Sequence, residues 1–558
     1  MLRVLCYSKN MKKYVIKIDR TDKKSILQYC RENGIDLCPA PCGGKGTCGK
    51  CKVHVTKPYD KVVLACKTEA VNGMEIAPVR DESENMVVLQ GDKVSDDTVD
   101  EKDRHDDLDR RIVSPKDGIR DRSSDVICAA CDIGTTTVVC SIIDPVTKDV
   151  LASRAGANPQ RSFGADVVSR IEAACADDDN LKTMNNAIVN LISGWITDMI
   201  QKLGVEKIKL LTVAANTTMC HLFAGISPEK IGKAPFMPDE LFGKEYKGAG
   251  IGILNCEKVY IIPAVSGYVG GDITAGMAEC IDADEMTLYL DIGTNGEMAL
   301  GRGGKYLCAA TAAGPAFEGA QIEMGMPGQK GAIDKVWLEG RKICYSVIGN
   351  VRPLGICGSG IIDAVAVFLD TGIIDENGTI KDMADIPLWY RPYVEVFDDE
   401  DDDEDIYPAE TAEKVVHISP EVILNQDDIR KIQLAKSAIA AGIDVLIKEY
   451  GITYNEIDRV CLAGGFGNYL DQKSAARIGL IPEKLLKKTV SVGNAAQKGA
   501  IATAYIYEDH DSKTETKILN KDIINKTNAI ISKMACIELS AYPGFDEMYV
   551  SHINFTCP

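Results

Sequence analysis

The sequence predicts a multidomain α/β protein, and three observations support that prediction. The chain has 558 residues, 45% of them apolar and 26% charged, which suits soluble globular domains and allows several of them. Residues 38–66 hold five cysteines among many glycines. The string Asp-Ile-Gly-Thr occurs twice, at 132–135 and 291–294, each time after an apolar run typical of a strand. We therefore expect a small N-terminal domain, a linker and a larger α/β body.

Charge divides the chain into two unlike parts. Residues 1–79 carry 15 Lys and Arg against 7 Asp and Glu, whereas the whole chain has a net charge of −19. An acidic body repels a polyanion, so general binding of nucleic acid is not expected. No uncharged apolar run reaches the ~18 residues that a membrane span needs, and the first twenty residues alternate too finely for a signal peptide. We expect a cytoplasmic protein without membrane association, whose basic head docks on an acidic surface.

Four cysteines near the N-terminus have the spacing of an iron–sulfur site. The pattern is C-x5-C-x2-C-x14-C, and the first three stand on a glycine-rich loop that can wrap closely around two irons and two sulfides. The predicted ligands are Cys42, Cys48, Cys51 and Cys66. A zinc site is the alternative, but zinc motifs usually lack such a loop. Cys38 is a spectator or an alternative first ligand, and Cys536 and Cys557 stand alone in the sequence.

A predicted β-hairpin returns the fourth cysteine to this loop. The β-type runs KVHVT and KVVLA flank the turn sequence at residues 57–60. A turn centred between Pro58 and Tyr59 places Cys66 opposite Cys51 across the hairpin. The last thiolate would thereby reach the other three.

The duplicated Asp-Ile-Gly-Thr string predicts two phosphate-binding hairpins. The glycine lets the backbone approach a phosphate, and the N–H and hydroxyl groups of the turn donate to it. Asp132 and Asp291 are the predicted catalytic residues, which position Mg²⁺ through its waters or orient an attacking water. The residues expected to bind phosphate are Gly134, Thr135, Thr136, Gly293, Thr294 and Asn295. One such string alone could be an ordinary β-turn, but two in equivalent contexts favour the functional interpretation.

A later helix and strand predict the nucleoside site. The sequence 429–449 predicts a helix, with Asp427 or Asp428 near its cap. Five apolar residues share one face of it: Ile432, Ala435, Ile439, Ile443 and Leu446. The buried strand RVCLA follows and ends at Gly464 and Gly465, where a flat nucleoside can lie against bare backbone. An ordinary strand and turn hardly require the three glycines found in these four positions.

Taken together, these strings resemble the reductive activators of corrinoid proteins. PCGGKGTCGKC and LACKT are similar to the family's 2Fe-2S ferredoxin-type domain, and the two hairpins with the later glycine turn resemble the actin, sugar kinase and Hsp70 (ASKHA) ATPases. Further strings match the corrinoid-activator branch in collinear order: NPQRSFGADVVSRI, ANTTMCHLFAGI, VSGYVGGDITAG, GPAFEGAQIEMGM, GICGSGIIDAV, LAGGFGNYLD and VGNAAQKGA. In the family the last cysteine usually follows a longer insertion than the 14 residues found here.

The resemblance implies a fold and its boundaries. We expect a β-grasp, ferredoxin-like domain over residues 1–79, a charged linker over 80–126 and a two-subdomain ASKHA ATPase over 127–558. The subdomains would cover 127–285 and 286–558, the second with an inserted acidic loop at 383–419. Gly314 and Gly358 are expected to line the nucleotide cleft, beside Pro315, Ser359 and Gly360. The acidic run 398–405 is either a solvated surface loop or a docking strip for the basic head or a basic partner.

The resemblance also implies an activity. A 2Fe-2S cluster would pass one electron to a corrinoid protein whose cobalt has slipped to inactive Co(II), regenerating Co(I), and ATP with Mg²⁺ would drive that uphill step. The implied partners are a corrinoid protein of a methyltransferase system, a low-potential electron donor and, as one option, a second copy of the chain. The alternatives are a ferredoxin-type electron carrier on a non-catalytic ASKHA scaffold, an ATP-dependent activator of another low-potential metalloenzyme, and a small-molecule kinase with a redox sensor.

Overall fold

The structure, a computed structural model, describes most of the chain in separate segments. These are residues 13–18, 23–33, 35, 37–38, 40, 43–46, 50–79, 126–397, 413–464, 470–505 and 519–555. The predicted linker, apart from residue 126, and the acidic run 398–405 lie outside them, as do Cys42, Cys48 and Gly465. Within these segments, no helix has both the length and the apolar character that crossing a membrane requires.

The N-terminal domain is a four-stranded sheet packed on a helix. Its elements are β1 (Tyr14–Val15), α1 (Ile26–Glu32), β2 (Lys52–Lys57), β3 (Lys61–Leu64) and β4 (Glu75–Pro78). The strand order is β1-β4-β2-β3, and each neighbouring pair is antiparallel. Alternation buries Val53 and Val55 of β2 in the same core as Ile26 of α1, because successive side chains of a strand point to opposite faces. This is the small domain that the sequence predicts.

A six-stranded sheet follows. Its strands are β5 (Cys128–Ile133), β6 (Thr137–Ile143), β7 (Val150–Ala157), β8 (Ile208–Ala215), β9 (Lys244–Lys247) and β10 (Cys256–Ile261), in the order β7-β6-β5-β8-β10-β9. A short 3₁₀ helix at Pro159–Ser162 precedes the first of its helices. The helices are α2 (Val167–Ala176), α3 (Asp178–Lys202), α4 (Thr217–Ala224), α5 (Gly248–Ile251) and α6 (Gly271–Cys280). Helix α3 buries Ile188, Ile192 and Ile196 at four-residue spacing, in one core with the sheet.

A second six-stranded sheet and two small sheets follow α6. The next strands are β11 (Thr287–Ile292), β12 (Gly296–Arg302), β13 (Lys305–Thr311), β14 (Ala332–Glu339), β15 (Lys342–Val347), β16 (Gly355–Ile356), β17 (Val394–Phe397), β18 (Glu413–Ser419), β19 (Val422–Asn425), β20 (Arg459–Ala463), β21 (Thr489–Gly493) and β22 (Met534–Ile537). The helices are α7 (Gly358–Thr371), α8 (Gln426–Tyr450), α9 (Gln472–Arg477), α10 (Ala495–Thr503), α11 (Lys521–Ser532) and α12 (Phe545–Ser551). The sheet orders are β21-β20-β11-β12-β13-β22, β15-β14-β16 and β17-β18-β19.

The two six-stranded sheets share an internal topology. In each, the strand that carries Asp-Ile-Gly-Thr pairs antiparallel with the next strand along the chain and parallel with a later one. Asp132 thus lies opposite Val139 on β6 and Ala214 on β8, and Asp291 lies opposite Glu297 on β12 and Ala463 on β20. The internal duplication that the repeated motif predicts is therefore present in the fold.

The long predicted helix is confirmed, with Asp427 and Asp428 near its cap as expected. Helix α8 begins at Gln426, and all five residues of the predicted apolar face are buried. Asn425 is the N-cap: its side chain accepts from the Asp428 N–H at 2.8 Å, and Asp428 accepts in return from the Asn425 N–H at 3.4 Å. This capping box satisfies two backbone donors of the first turn, so Asp428 is the partner of the cap rather than the cap itself.

One prediction of domain organisation needs correction. The segment 383–419 is not a loop throughout, because it contains β17 and β18, which pair antiparallel with Phe397 opposite Glu413, and β19 extends the sheet. Val415, Val416 and Ile418 of β18 are buried, and this apolar run specifies a strand beside the acidic residues. The run 398–405 itself lies outside the described residues.

The compact units of the fold divide the chain differently from the predicted subdomains, whose boundary at 285/286 stays a prediction. Of the described residues, one compact unit contains those up to Ala275 together with Ala496–Asn528, and the other contains Gly276–Ala495 and those from Ala529 onward. Hydrogen bonds explain the return of 496–528 to the first unit. The Gln497 side chain donates to Ala130 O at 3.1 Å and to Ser141 Oγ at 3.0 Å, and the Thr212 hydroxyl donates to Ala500 O at 2.7 Å.

Candidate functional site

Two of the four predicted cysteine ligands meet in the N-terminal domain. Cys51 directly precedes β2 and Cys66 follows β3, and their sulfur atoms lie 3.1 Å apart. The predicted register is wrong by one residue: β2 and β3 pair Val53 with Val63, so Ala65 rather than Cys66 lies across from Cys51 and donates its N–H to the Cys51 carbonyl at 2.7 Å. Strand β3 ends at Leu64, and the turn that follows brings Cys66 close to Cys51.

The glycine loop between the cysteines has the backbone that a close wrap requires. Gly43, Gly44 and Gly46 all have positive φ angles, of 64°, 92° and 79°. A Cβ on Gly46 would lie 2.6 Å from the Lys67 side chain, one residue after Cys66. The described part of the loop therefore fits a two-iron cluster: three of its four residues, 43–46, are glycines, and the Cys51 and Cys66 thiols converge nearby. Cys42 and Cys48 lie outside the described residues, and Cys38 is buried nearby in the domain core.

The first Asp-Gly-Thr hairpin is held by hydrogen bonds from several elements. The Gly134 N–H donates to Thr137 O at 2.9 Å, and a Cβ on Gly134 would stand 2.7 Å from that oxygen. The buried Asn158 side chain donates to Gly134 O at 2.9 Å, and its backbone N–H donates to Thr136 O at 2.8 Å. Asp132, half-buried, is the penultimate residue of β5, which ends at Ile133 directly before this turn.

Thr135 has an ordered hydroxyl group. The Asn216 side chain donates to Thr135 Oγ1 at 3.1 Å, while the fully buried Arg170 donates to Thr135 O at 2.5 Å. Because the hydroxyl accepts from Asn216, its own proton is oriented away from that amide and can be donated to an anion. Asn216 is the N-cap of α4, which fixes its side chain.

The second hairpin has a turn that is one residue shorter, since Ile292 pairs with Gly296 whereas Ile133 pairs with Val138, and it also differs at its threonine. The Gly293 N–H donates to Asn295 O at 2.9 Å. The Thr294 hydroxyl donates to Glu318 Oε2 at 2.9 Å, and the Asn295 side chain donates to Glu297 Oε1 at 3.2 Å. Glu297 and Glu318 were not predicted as site residues. Glu297 directly follows the Asp-Ile-Gly-Thr-Asn-Gly string, so only its strand position opposite Asp291 could have indicated a role.

Gly464 packs directly on the second hairpin. Its φ is +104°, and a Cβ there would lie 2.6 Å from Ile292 O and 3.0 Å from Asp291 Oδ1. Only glycine allows the chain at the end of β20 to approach the Asp291 carboxylate this closely. The predicted neighbour Gly465 lies outside the described residues.

Two other predicted cleft glycines have separate physical reasons to be glycine. Gly314 has φ +77° and introduces the short helix Pro315–Glu318, which carries the Thr294 partner Glu318. Gly358 opens α7, where a Cβ would lie 1.7 Å from Phe317 O. Gly358 therefore allows the start of α7 to pack closely on the backbone of Phe317.

Two carboxyl groups missed by the sequence analysis have raised pKa values. Asp272, in the first turn of α6, accepts from the Ile273 N–H at 2.8 Å, and burial raises its pKa to about 6. It follows Gly270, which packs on Asn216 beside Thr135. In α7, burial raises the pKa of Asp363 to about 6, and its carboxylate accepts from the Val336 N–H at 3.3 Å. Both lie in strings matched to the family, VSGYVGGDITAG and GICGSGIIDAV, which was the only available signal.

Cys536, which stands alone in the sequence, lies beside another cysteine in the fold. Strands β13 and β22 pair in parallel with Cys308 directly opposite Cys536, and the two sulfur atoms lie 2.8 Å apart. Cys308 is buried and Cys536 is exposed. The two cysteines are 228 positions apart in sequence, so no local pattern could predict the pair. Cys557 lies outside the described residues.

Family models match three consecutive regions of the chain. The 2Fe-2S iron-sulfur cluster binding domain matches residues 13–71, the RACo middle region matches 127–282, and the C-terminal domain of RACo, the ASKHA domain, matches 285–557. The chain therefore contains a domain of the 2Fe-2S cluster-binding type and one of the ATP-binding ASKHA type. The folds predicted for the two parts are confirmed.

Named relatives match nearly the whole chain. It is 32% identical to the corrinoid activation enzyme RamQ of Eubacterium limosum, over 97% of both sequences. It is 25% identical to the Co(II) methylated amine-specific corrinoid protein reductase of Methanosarcina barkeri, over 66% of this chain and 68% of that one. A solved structure of a reductive activator for corrinoid, iron-sulfur protein is 30% identical and superposes with a TM-score of 0.65, covering 97% of this chain and 96% of that one.

Proposed function

The chain belongs to the family of reductive activators of corrinoid proteins, and we propose that it returns an inactive corrinoid protein to its active state. The reaction moves one electron. The reduced N-terminal domain is oxidised by one electron, and the cobalt of the partner's corrinoid is reduced from Co(II) to Co(I). ATP is hydrolysed to ADP and phosphate in the same cycle.

One observation carries this proposal. A single chain combines a glycine loop closed by two thiols 3.1 Å apart with two Asp-Gly-Thr hairpins of matching topology. Cys51, Cys66 and the predicted ligands Cys42 and Cys48 would hold a two-iron cluster, which would supply a one-electron donor with a potential of about −400 mV. The hairpins supply a nucleotide site whose occupancy can favour one conformation over another. The cysteine site alone does not explain the nucleotide site, and the nucleotide site alone does not explain the cysteine site.

Nucleotide turnover is proposed to make an unfavourable electron transfer possible. A ferredoxin-type donor is too weak a reductant for Co(II), so a second free-energy source is required. If ATP binding favours the conformation that engages the Co(II) partner, hydrolysis after electron transfer resets it. The free energy of ATP binding then stabilises the complex with the corrinoid protein.

We assign the nucleotide roles as follows. Asp132 and Asp291 position Mg²⁺ through its waters or orient the attacking water, because each is the penultimate residue of a strand that leads into a phosphate turn. The Thr135 hydroxyl donates to phosphate, whereas Thr294 holds Glu318 and leaves phosphate to the backbone of its turn. Gly464 lets adenosine approach β20.

Magnesium is proposed as an ion held mainly by water and phosphate. In the part of the chain that the structure describes, no group of three or more His, Cys, Asp or Glu side chains is arranged to hold a metal directly. Mg²⁺ keeps several waters when it accompanies nucleotide phosphates, which fits a site with few direct protein ligands. The proposed partners are a corrinoid protein of a methyltransferase system and a low-potential electron donor.

The test is reactivation of a corrinoid protein in its Co(II) state. The full chain, loaded with iron and sulfide and chemically reduced, is mixed with that protein with and without Mg-ATP, and the loss of the Co(II) electron paramagnetic resonance signal is followed. We expect reduction to require ATP. In Asp291→Asn we expect ATP-dependent reduction to be lost while the visible absorption of the iron–sulfur domain is kept.

Two outcomes would contradict the proposal. Equal Co(II) reduction with and without ATP would leave an electron carrier on an inert scaffold. ATP hydrolysis without Co(II) reduction, in a chain with normal visible absorption, would point to another acceptor. Asp370→Asn, on the exposed face of α7, is the matched control for removing a single carboxylate.

A further inference from the structure

Arg31 joins the cluster-binding domain to the segment that follows β7. It lies in the last turn of α1 and donates through Nε to Ser162 O at 2.8 Å, with Nη2 directed at the same oxygen. Its guanidinium group stacks over the Phe163 ring, 4.7 Å from the centroid. A fork of donors on one carbonyl combined with ring stacking is an arrangement that arginine can make and lysine cannot.

The same contact involves the glycine loop that carries the predicted iron ligands. Arg31 Nη2 also donates to Gly43 O at 3.1 Å, and a Cβ on Gly43 would lie 3.3 Å from Phe163 O. At the rim, Lys45 forms a salt bridge of 3.0 Å with Glu172 of α2. Part of the loop is therefore covered by the ATPase region. A corrinoid protein cannot contact this face of the loop until the domain moves away.

The opposite side of this segment is bonded to the first phosphate hairpin. Asn158 caps the 3₁₀ helix by accepting from the Gln160 N–H at 2.9 Å, and the same side chain donates to Gly134 O. Arg170 provides a second connection, since it donates to Gly164 O at 3.0 Å and to Thr135 O. Asn158 and Arg170 are both fully buried. A shift of the turn at Gly134–Thr136 is therefore transmitted to Ser162 and Phe163 through buried, hydrogen-bonded groups.

We propose that Asn158–Gly164 is a docking segment, which holds the cluster-binding domain through Arg31 and releases it when nucleotide binds the first hairpin. The inference rests on the proposed function for one point only, that this hairpin binds phosphate. The occupant of the docking surface is the basic N-terminal domain of the same chain. Release, rather than tighter docking, follows because electron delivery needs the covered face of the loop.

Thermodynamic linkage makes the proposal quantitative. If nucleotide weakens docking by some factor, docking weakens nucleotide binding by the same factor. Removing the Arg31 contact should therefore tighten nucleotide binding. Couplings of this kind are usually on the order of 5- to 100-fold, and we expect Arg31→Ala to lower the dissociation constant for a non-hydrolysable ATP analogue by about 5-fold.

The experiment uses the full chain loaded with iron and sulfide. The dissociation constant for the analogue is measured by calorimetry, and hydrogen exchange is measured on peptides covering 26–46 and 159–172 with and without analogue. In the native chain we expect the analogue to increase exchange in both peptides. In Arg31→Ala both should exchange fast from the start and respond little. Lys24→Ala, which removes another cation whose partner Glu32 lies within the same domain, should behave as the native chain.

A charge exchange at the rim salt bridge tests the proposal independently, in case the Arg31 variant misfolds. Glu172→Lys should weaken docking, and adding Lys45→Glu should restore it, because the rim salt bridge is re-formed with reversed charges. Unchanged exchange and unchanged analogue affinity in both Arg31→Ala and Glu172→Lys would overturn the proposal. Failure of the native chain to bind the analogue at all would instead overturn the proposed function, so the two failures are distinguishable.

Discussion

The sulfur atoms of Cys51 and Cys66 lie 3.1 Å apart although these residues are not partners across the β2–β3 hairpin. The proximity comes from the turn after Leu64, which reverses the chain within two residues. It places Cys66, the predicted fourth ligand, beside Cys51, another predicted ligand. The ligand set can therefore be tested one cysteine at a time.

Cys66→Ser should lose most of its bound iron, whereas Cys38→Ser should keep it. Cys66 lies against Cys51, while Cys38 is buried in the core of the domain. We expect about two irons and two sulfides per chain in the native protein and in Cys38→Ser, with unchanged visible absorption. Iron and acid-labile sulfide analysis after anaerobic reconstitution measures this. Loss of iron in Cys38→Ser with retention in Cys66→Ser would make Cys38 the ligand.

The two hairpin threonines should differ in their effect on ATP affinity. The Thr135 hydroxyl accepts from Asn216 and has its proton left for phosphate, whereas the Thr294 hydroxyl gives its proton to Glu318. A hydrogen bond to a charged group contributes about 1.5–3 kcal/mol, so Thr135→Ala should weaken ATP binding at least about 10-fold. Thr135→Ser, which keeps the hydroxyl, should bind normally, and Thr294→Ala should change affinity less than about 3-fold. Equal losses in both alanine variants would show that the hydroxyls act alike.

The predictions that succeeded concern features that the local sequence determines. The repeated hairpins, the buried face of α8 and the strand ending at Gly464 follow from short-range periodicity and turn residues, and all are present. The register of β2 with β3 was wrong because the hairpin is centred on residue 58, and a loop with an odd number of residues shifts every partner by one.

Contacts between distant segments could not be predicted from the sequence. Glu318 accepts a hydrogen bond from Thr294, 24 residues earlier in the chain, and Arg31 donates to Ser162, 131 residues later. Such pairs form because the fold places distant elements side by side, and the sequence of one element does not indicate which residue of another it will contact. The return of Ala496–Asn528 to the first unit belongs to the same class.

Asp363→Asn should stabilise the protein at neutral pH. Burial raises the folded-state pKa of Asp363 to about 6, above the unfolded value of about 3.9. The folded chain thus binds more protons than the unfolded chain between those two values, so this group makes stability fall as pH rises from about 4 to about 6. The asparagine variant removes that loss, which is worth at most about 3 kcal/mol at pH 7. Urea unfolding at pH 4.5 and at pH 7 measures it.

The control for this experiment is Asp370→Asn on the same helix. Asp370 is exposed and forms a surface salt bridge with Arg477, which typically contributes less than about 1 kcal/mol. Its removal should shift the urea midpoint slightly and without the pH trend. A gain in Asp363→Asn that is equal at both pH values would mean that packing, and not the buried charge, limits stability.

Mild oxidation should join Cys308 to Cys536. Their sulfurs are 2.8 Å apart on paired strands, and Cys536 is exposed to reagents. Diamide accepts the two electrons and two protons of the two thiols, leaving one disulfide and a hydrazine. We expect peptide mass spectrometry to find this bridge, and Cys536→Ser to prevent it while changing stability by less than about 1 kcal/mol, because the side chain is exposed. The matched control is Cys131 and Cys140, directly opposite across β5 and β6 but fully buried, which should stay reduced in the folded chain. If diamide bridged that buried pair as readily, exposure would not govern the reaction and the selectivity argued for Cys536 would be wrong.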